Sequence, residues 1–163
     1  MNLKIREALA GDYAGISGLV LEVHRLHLEN RPDVYLDTDT PLSEERFEEL
    51  LHDENAKIFA AENTESGELL AYCIFEIMVV DDNQIQVPSE FAYVSDFCVK
   101  SGYRKNGIGR ILFEHMKDYV KSEGISSLQL TAWEFNQSAI QFYESMGMTT
   151  RNRTMELQVR GDP

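Results

Sequence analysis

The chain has 163 residues and a mass of 18.7 kDa, with 43% hydrophobic and 26% charged residues, which fits one domain of about 100–200 residues whose core needs no staples. Lys and Arg number 15 against 28 Asp and Glu, a net charge of −13 with a pI near 4.6; this argues against a broad phosphate-contacting surface for nucleic acid and suits either a cationic substrate or solubility alone. No run approaches the ~18 apolar residues of a membrane span, Met1 to Arg6 lack the apolar block of a secretory signal, and Cys73 and Cys98, both within apolar runs, read as buried thiols of a reducing, cytoplasmic compartment.

Residues 3–7 read as a short strand, and Asp12 follows as a helix N-cap. Ile16, Leu19, Val20, Val23 and Leu26 recur at helical spacing, which predicts a helix to about residue 29. Arg31-Pro32-Asp33 ends it, because the residue before proline is pushed out of the helical region. Ser43 can cap a second helix with a narrow apolar stripe of Phe47, Leu50 and Leu51; its Glu44, Glu45, Glu48 and Glu49 read as a solvated face. Two strands, 57–62 and 68–80, are joined by a short polar spacer containing Gly67, the chemistry of a hairpin loop.

After a loop at 81–88, residues 91–99 are apolar on both parities. Phe91, Tyr93, Phe97 and Val99 fall on one face, and Ala92, Val94 and Cys98 on the other. A strand buried on both faces belongs inside a sheet covered by helices on each side. Ile108, Ile111, Leu112, Met116, Tyr119 and Val120 form the strongest helical stripe, ended by Gly124. Residues 127–131 read as a strand, and Ala139, Phe142, Tyr143 and Met146 mark a helix that stops at Gly147. Residues 154–159 are expected to close the sheet. With no repeat or linker, a single α/β domain over residues 1–163 is expected.

The chemistry concentrates where the central strand runs into Lys100-Ser101-Gly102-Tyr103-Arg104-Lys105-Asn106-Gly107-Ile108-Gly109-Arg110 and a long helix begins. The first N–H groups of a helix have no internal partner, and the macrodipole places positive charge there. Gly107 and Gly109 let an anion approach the backbone, and Arg104 adds a cation capable of bidentate phosphate contact. Neither a P-loop nor a dinucleotide fingerprint is present. Read from the residues alone, a tight turn that merely needs two glycines remains the alternative.

The segment Arg104-Lys105-Asn106-Gly107-Ile108-Gly109 resembles the Gln/Arg-x-x-Gly-x-Gly/Ala signature of the GNAT superfamily, the acyl-CoA-dependent N-acyltransferases. About thirty residues on, Trp133 to Met148 resembles its second signature, in which an Asn opens a helix, a Tyr follows one helical face away and a Gly ends it. Within the superfamily the stretch from Asp96 to Arg104, with Glu134-Phe135-Asn136 and Ile140 to Tyr143, is similar to diamine and polyamine acetyltransferases. Those enzymes commonly carry an acidic residue just before the Asp of the central strand, where this chain has Ser95.

The resemblance implies a mixed, mostly antiparallel sheet of about six to seven strands, splayed in the middle, with helices on both faces. It implies acetyl-CoA as cosubstrate. Backbone groups of Phe97, Cys98 and Val99 would pair with pantetheine like an added strand. The pyrophosphate would sit on the N–H groups of Lys105, Asn106, Gly107, Ile108, Gly109 and Arg110 with Arg104 alongside. Asn136, Gln137 and Ser138 would contact the cofactor arm, although Asn136 is independently a good helix N-cap. Tyr143 would protonate the departing CoA thiolate; as a member of an apolar stripe it also reads as a core residue. The N–H of Cys98 would stabilise the oxyanion. Cys98 as an acyl carrier is the weaker idea, since no nearby His lowers its pKa.

His24, His27, Glu29, Asp96 and Glu134 are candidate contacts to the acceptor, with exposed polar residues as the plain reading of the histidines. The four histidines show no metal-ligand pattern, and no metal is expected. The expected activity is acetyl transfer to a primary amine of a small polyamine-like acceptor by direct attack. A protein N-terminal or lysine acetyltransferase is the alternative, and a non-catalytic acyl-CoA sensor the alternative of another class. A homodimer follows from the family resemblance only.

Overall fold

The computed structural model describes residues 1–160. The alternating and apolar runs become β1 (Leu3–Glu7), β2 (Ala56–Asn63), β3 (Glu68–Val80), β4 (Ser89–Val99) and β5 (Leu128–Leu130), in that spatial order. The first four pair antiparallel, and β5 joins β4 in parallel. A parallel neighbour needs a crossover, which the chain supplies through helix α3 (Ile108–Ser122). Helices α1 (Tyr13–Asn30) and α2 (Glu44–His52) lie between β1 and β2 in the chain. The chain divides into two compact units: residues 1–131 hold the sheet and these three helices, and the remainder, from Ala132, holds α4 (Gln137–Ser145).

The sheet of the first unit is covered on both faces. On one, Ile16, Leu19 and Val20 of α1 and Phe47 and Leu50 of α2 pack with Ile58, Ala60, Tyr72, Ile74 and Cys98. On the other, Phe59 meets His115 and Tyr119 of α3 edge-on, and Leu112 and Met116 are fully buried. Each such large side chain contributes about 1.5–3 kcal/mol on burial, far more than the propensity of any one helix residue. Ser43 caps α2 as expected, its Oγ accepting from the Arg46 N–H at 3.1 Å. Asp12 stands at the α1 cap position but does other work. Its carboxylate accepts from Arg6 at 2.6 and 2.9 Å and from the Leu9 N–H at 2.7 Å.

Two expectations are corrected. The sheet has five strands rather than six or seven, because residues 154–159 form no strand. Met155, Leu157 and Val159 alternate as a strand should, yet all three are exposed. Alternation describes side chains, whereas a strand also needs a neighbour for its backbone groups, and among the described residues this segment has none.

The second correction lies within β4. Phe75 pairs with Val94 and Ile74 with Asp96, so Ser95 is one residue too many, and β4 bulges there. The bulge reverses the parity expected from strict alternation. Ala92 and Val94, opposite Ile77 and Phe75, share a face with Phe97 and Val99, and Phe97 meets Phe113 of α3. Asp96 and Cys98, opposite Ile74 and Tyr72, turn instead to the side of α1 and α2.

Candidate active site

Between β4 and α3 the chain makes a tight turn. The Tyr103 N–H donates to the Lys100 carbonyl at 2.9 Å, and the Asn106 side chain donates to the Tyr103 carbonyl at 3.2 Å. Lys105 has φ +63° and Gly107 φ +81°, both left-handed. Glycine takes that conformation without penalty, and at Gly107 it opens the helix. The first intrahelical bond of α3 runs from the Ile111 N–H to the Gly107 carbonyl at 3.1 Å. The N–H groups of Ile108, Gly109 and Arg110 therefore have no acceptor one turn back. A Cβ placed on Gly107 would meet nothing within 4 Å, so the space in front of this helix end is open. Buried Ile108 anchors the turn from below. Free N–H groups, a positive helix end and open space together fit the pyrophosphate of CoA.

Arg104 stands beside this turn but is already engaged. Its Nε donates to the Val99 carbonyl at 2.9 Å and its guanidinium meets Glu22 of α1 at 2.9 Å. Next to it, Glu68 accepts from Lys100 and from the Tyr103 hydroxyl, the latter at 3.1 Å. Those two bonds hold the Glu68 carboxyl below the usual range. A cleft of about 450 Å³ opens here, with Gly11, Gly15 and Gly18 of the α1 region on one wall and Glu68 and Lys100 on the other. The sequence reading missed Glu22 and Glu68. Both pair with residues far away in the chain, and no local pattern marks them.

The upper half of β4 is open along one edge. β5 pairs only with Ala92, Tyr93 and Val94, so from Ser95 onward β4 has no strand neighbour on that side among the described residues. Phe97, Cys98 and Val99 fall in this stretch. On the α1 side, burial pushes the Asp96 carboxyl up to about 6, although backbone and Tyr72 contacts pull the other way. The same burial pushes the thiols of Cys98 and Cys73 up to about 12. Tyr72, also missed because it reads as core filler, is fully buried, and its hydroxyl closes no hydrogen bond of ordinary geometry.

His24 and His27 sit at the end of α1 and hold Tyr35, the first edge-on at 6.0 Å and the second stacked at 5.0 Å. Nε2 of His24 is 2.7 Å from the Leu36 carbonyl. Burial, with His24 nearby, lowers the pKa of His27. Glu29 is exposed at the same helix end. The histidines thus fasten the segment after α1. In the second unit, Asn136 caps α4, its Oδ1 accepting from the Ala139 N–H at 3.2 Å. The Gln137 side chain donates to the Glu134 carbonyl at 2.6 Å, and Ser138 is exposed. Tyr143 packs edge-on to Phe142 at 5.4 Å, and its carbonyl accepts from Met148 at 3.0 Å just past the left-handed Gly147.

The Acetyltransferase (GNAT) family model matches residues 20–148, and the chain belongs to that family of acyltransferase enzymes, which use acetyl-CoA. The [Ribosomal protein bS18]-alanine N-acetyltransferase of Escherichia coli K12 is 27% identical over 121 residues, 74% of this chain and 70% of that protein. The streptothricin acetyltransferase of Streptomyces lavendulae is 37% identical over 54 residues, 33% of this chain and 29% of that protein. A mutant of the BH1408 protein from Bacillus halodurans superposes with a TM-score of 0.93 at 29% identity, covering 96% of this chain and 99% of that one.

Proposed function

We propose that the protein transfers an acetyl group from acetyl-CoA to a primary amine of a cationic acceptor by direct attack. The observation that carries this reading is the left-handed turn at Lys105 and Gly107, which delivers free helix N–H groups to the end of a β4 edge that has no strand neighbour among the described residues. Pyrophosphate fits the turn, and pantetheine amides fit the open edge at Phe97, Cys98 and Val99. Acetyl-CoA supplies the activated acyl group as a thioester. In this reading the N–H of Cys98 holds the developing oxyanion and Tyr143 gives a proton to the leaving sulfur. Asn136, Gln137 and Ser138 contact the cofactor arm. An acyl-cysteine route is disfavoured by thiols held near 12, since the thiolate is the nucleophile.

For the acceptor, the excess of carboxylates favours a cationic molecule. The polyamine-like motif residues support a small diamine or polyamine. Similarity to an enzyme named for a ribosomal protein's alanine supports the second reading, a protein α-amine. Release of free thiol from acetyl-CoA, measured against putrescine, spermidine and alanine-initiated peptides, decides between them. Turnover with a diamine but not the peptides supports the first, and the reverse supports the second. Turnover with none of them overturns both.

A further inference from the structure

We propose that residues 154–159 of one copy add as an outer strand to the free edge of β5 in a second copy, each chain lending its segment to the other. The pairing is independent of the reaction proposed above. β5 is the last strand of the sheet and has a neighbour only on its β4 side, so among the described residues its outer N–H and C=O groups face no further strand. Such an edge is a template for another strand. In the same chain, Met155, Leu157 and Val159 alternate with Thr154, Glu156 and Gln158, and these three apolar side chains are 91%, 83% and 84% exposed. No strand pairing joins this segment to β5 among the described residues. A strand-patterned segment without a ladder and a ladder edge without a strand thus occur in one chain. A second copy presents the same edge and can satisfy both.

The two surfaces match in pattern and in charge. Leu128 and Leu130 of β5 stand opposite Ala92 and Val94 of β4, on the face where Phe97 meets Phe113 of α3. A strand that lays Met155, Leu157 and Val159 beside Leu128 and Leu130 extends that apolar face by one strand. Glu156 and Gln158 then fall with Gln129 on the other face. Main-chain hydrogen bonds hold the added strand, and the apolar row fixes which face it presents. Residues 151–160 carry Arg151, Arg153 and Arg160 against Glu156, a net +2 within a chain of −13, which leaves −15 for the rest. The segment is therefore opposite in sign to the body it joins, and it brings positive charge to an interface between two acidic bodies that otherwise repel. Because each copy gives the same segment and receives on the same edge, the exchange is self-complementary and closes as a two-fold dimer.

The test is the mass of the full chain in solution, by sedimentation velocity and light scattering over a wide range of concentration, together with amide hydrogen exchange. The wild type is expected at twice the 18.7 kDa of one chain, with exchange slowed both in β5 and at 154–159. Leu157→Lys puts a charge into the apolar row at a side chain that is exposed in the single chain. It should give the single-chain mass, with exchange speeded in both segments together and the far-UV spectrum kept. Leu157→Pro stays apolar but removes an N–H from the ladder, and the same loss is expected; it decides the outcome if Leu157→Lys fails to fold. A wild type of single-chain mass overturns the proposal, including one with both segments protected, since the segment then closes on its own β5. A dimer that survives in either folded variant overturns it as well, because its interface lies elsewhere. The mass is read without substrate, so its outcome is separate from that of the acetyl-transfer assay.

Discussion

Glu22 of α1 and Arg104 beyond β4 meet at 2.9 Å, while the same guanidinium donates to the carbonyl of Val99, the last residue of β4. One cation thus ties a helix to the strand end beside the turn at 104–110. In the proposed function, a pyrophosphate arriving at that turn would compete with Glu22 for the guanidinium. The expected order of CoA affinity is therefore Glu22→Gln at or above wild type, and Arg104→Ala below it by about 1–3 kcal/mol, the scale of a charge-assisted hydrogen bond. Calorimetry with CoA and with pantetheine checks this, since the ligand without phosphates should not register either change. Equal loss for both ligands in Arg104→Ala would make Arg104 a structural tie only.

The two glycines of the turn should part company when replaced. Gly107 has φ +81°, so Gly107→Val forces a β-branched residue into the left-handed region at about 1–2 kcal/mol. For a chain of this length each kcal/mol lowers Tm by about 2–4 °C. Gly109 lies within the first turn of α3, so Gly109→Val should keep its melting temperature closer to wild type while raising KM for acetyl-CoA strongly. Wild-type KM in a folded Gly109→Val protein would refute the anion site.

What the sequence made legible was local. Ser43 as a cap, Gly124 and Gly147 as helix stops, and Gly107 as the special residue of the turn each depend on neighbours a few positions away. The extent of β3 and the covering of both sheet faces follow from runs of apolar residues in the same way. The bulge at Ser95 is different, because it is a mismatch between β4 and β3 rather than a property of β4, and it redirected half the strand. Glu22 and Arg104 are 82 residues apart, and Tyr72 has the composition of core. Residues 154–159 show the opposite failure: alternation was present and a partner strand was not.

Tyr143→Phe should lower kcat more than it raises KM. The ring and its edge-on contact with Phe142 remain, so the melting temperature should change little. Only the hydroxyl is lost, which in the proposed reaction supplies the proton for the leaving thiolate. General acid catalysis contributes about 10²–10⁴-fold, and a thiolate leaves fairly well unaided, so the lower end is expected. Steady-state kinetics with a burst-phase check that chemistry limits turnover would measure it. An unchanged kcat under that condition would leave Tyr143 a packing residue.

Asp96 gives a stability prediction of opposite sign to the usual buried carboxylate. Burial raises its folded pKa to about 6, above the ordinary carboxylate value of 3.8. Between those two values the folded protein binds more protons than the unfolded chain, so stability falls as pH rises through the window. The stability this group contributes is thus present below the ordinary carboxylate range and is lost by pH 7. Asp96→Asn removes the titration while preserving shape. Its melting temperature relative to wild type should therefore climb between pH 4 and pH 7. Parallel pH dependence of Tm in the two proteins would show that Asp96 does not titrate above the ordinary carboxylate range in the fold.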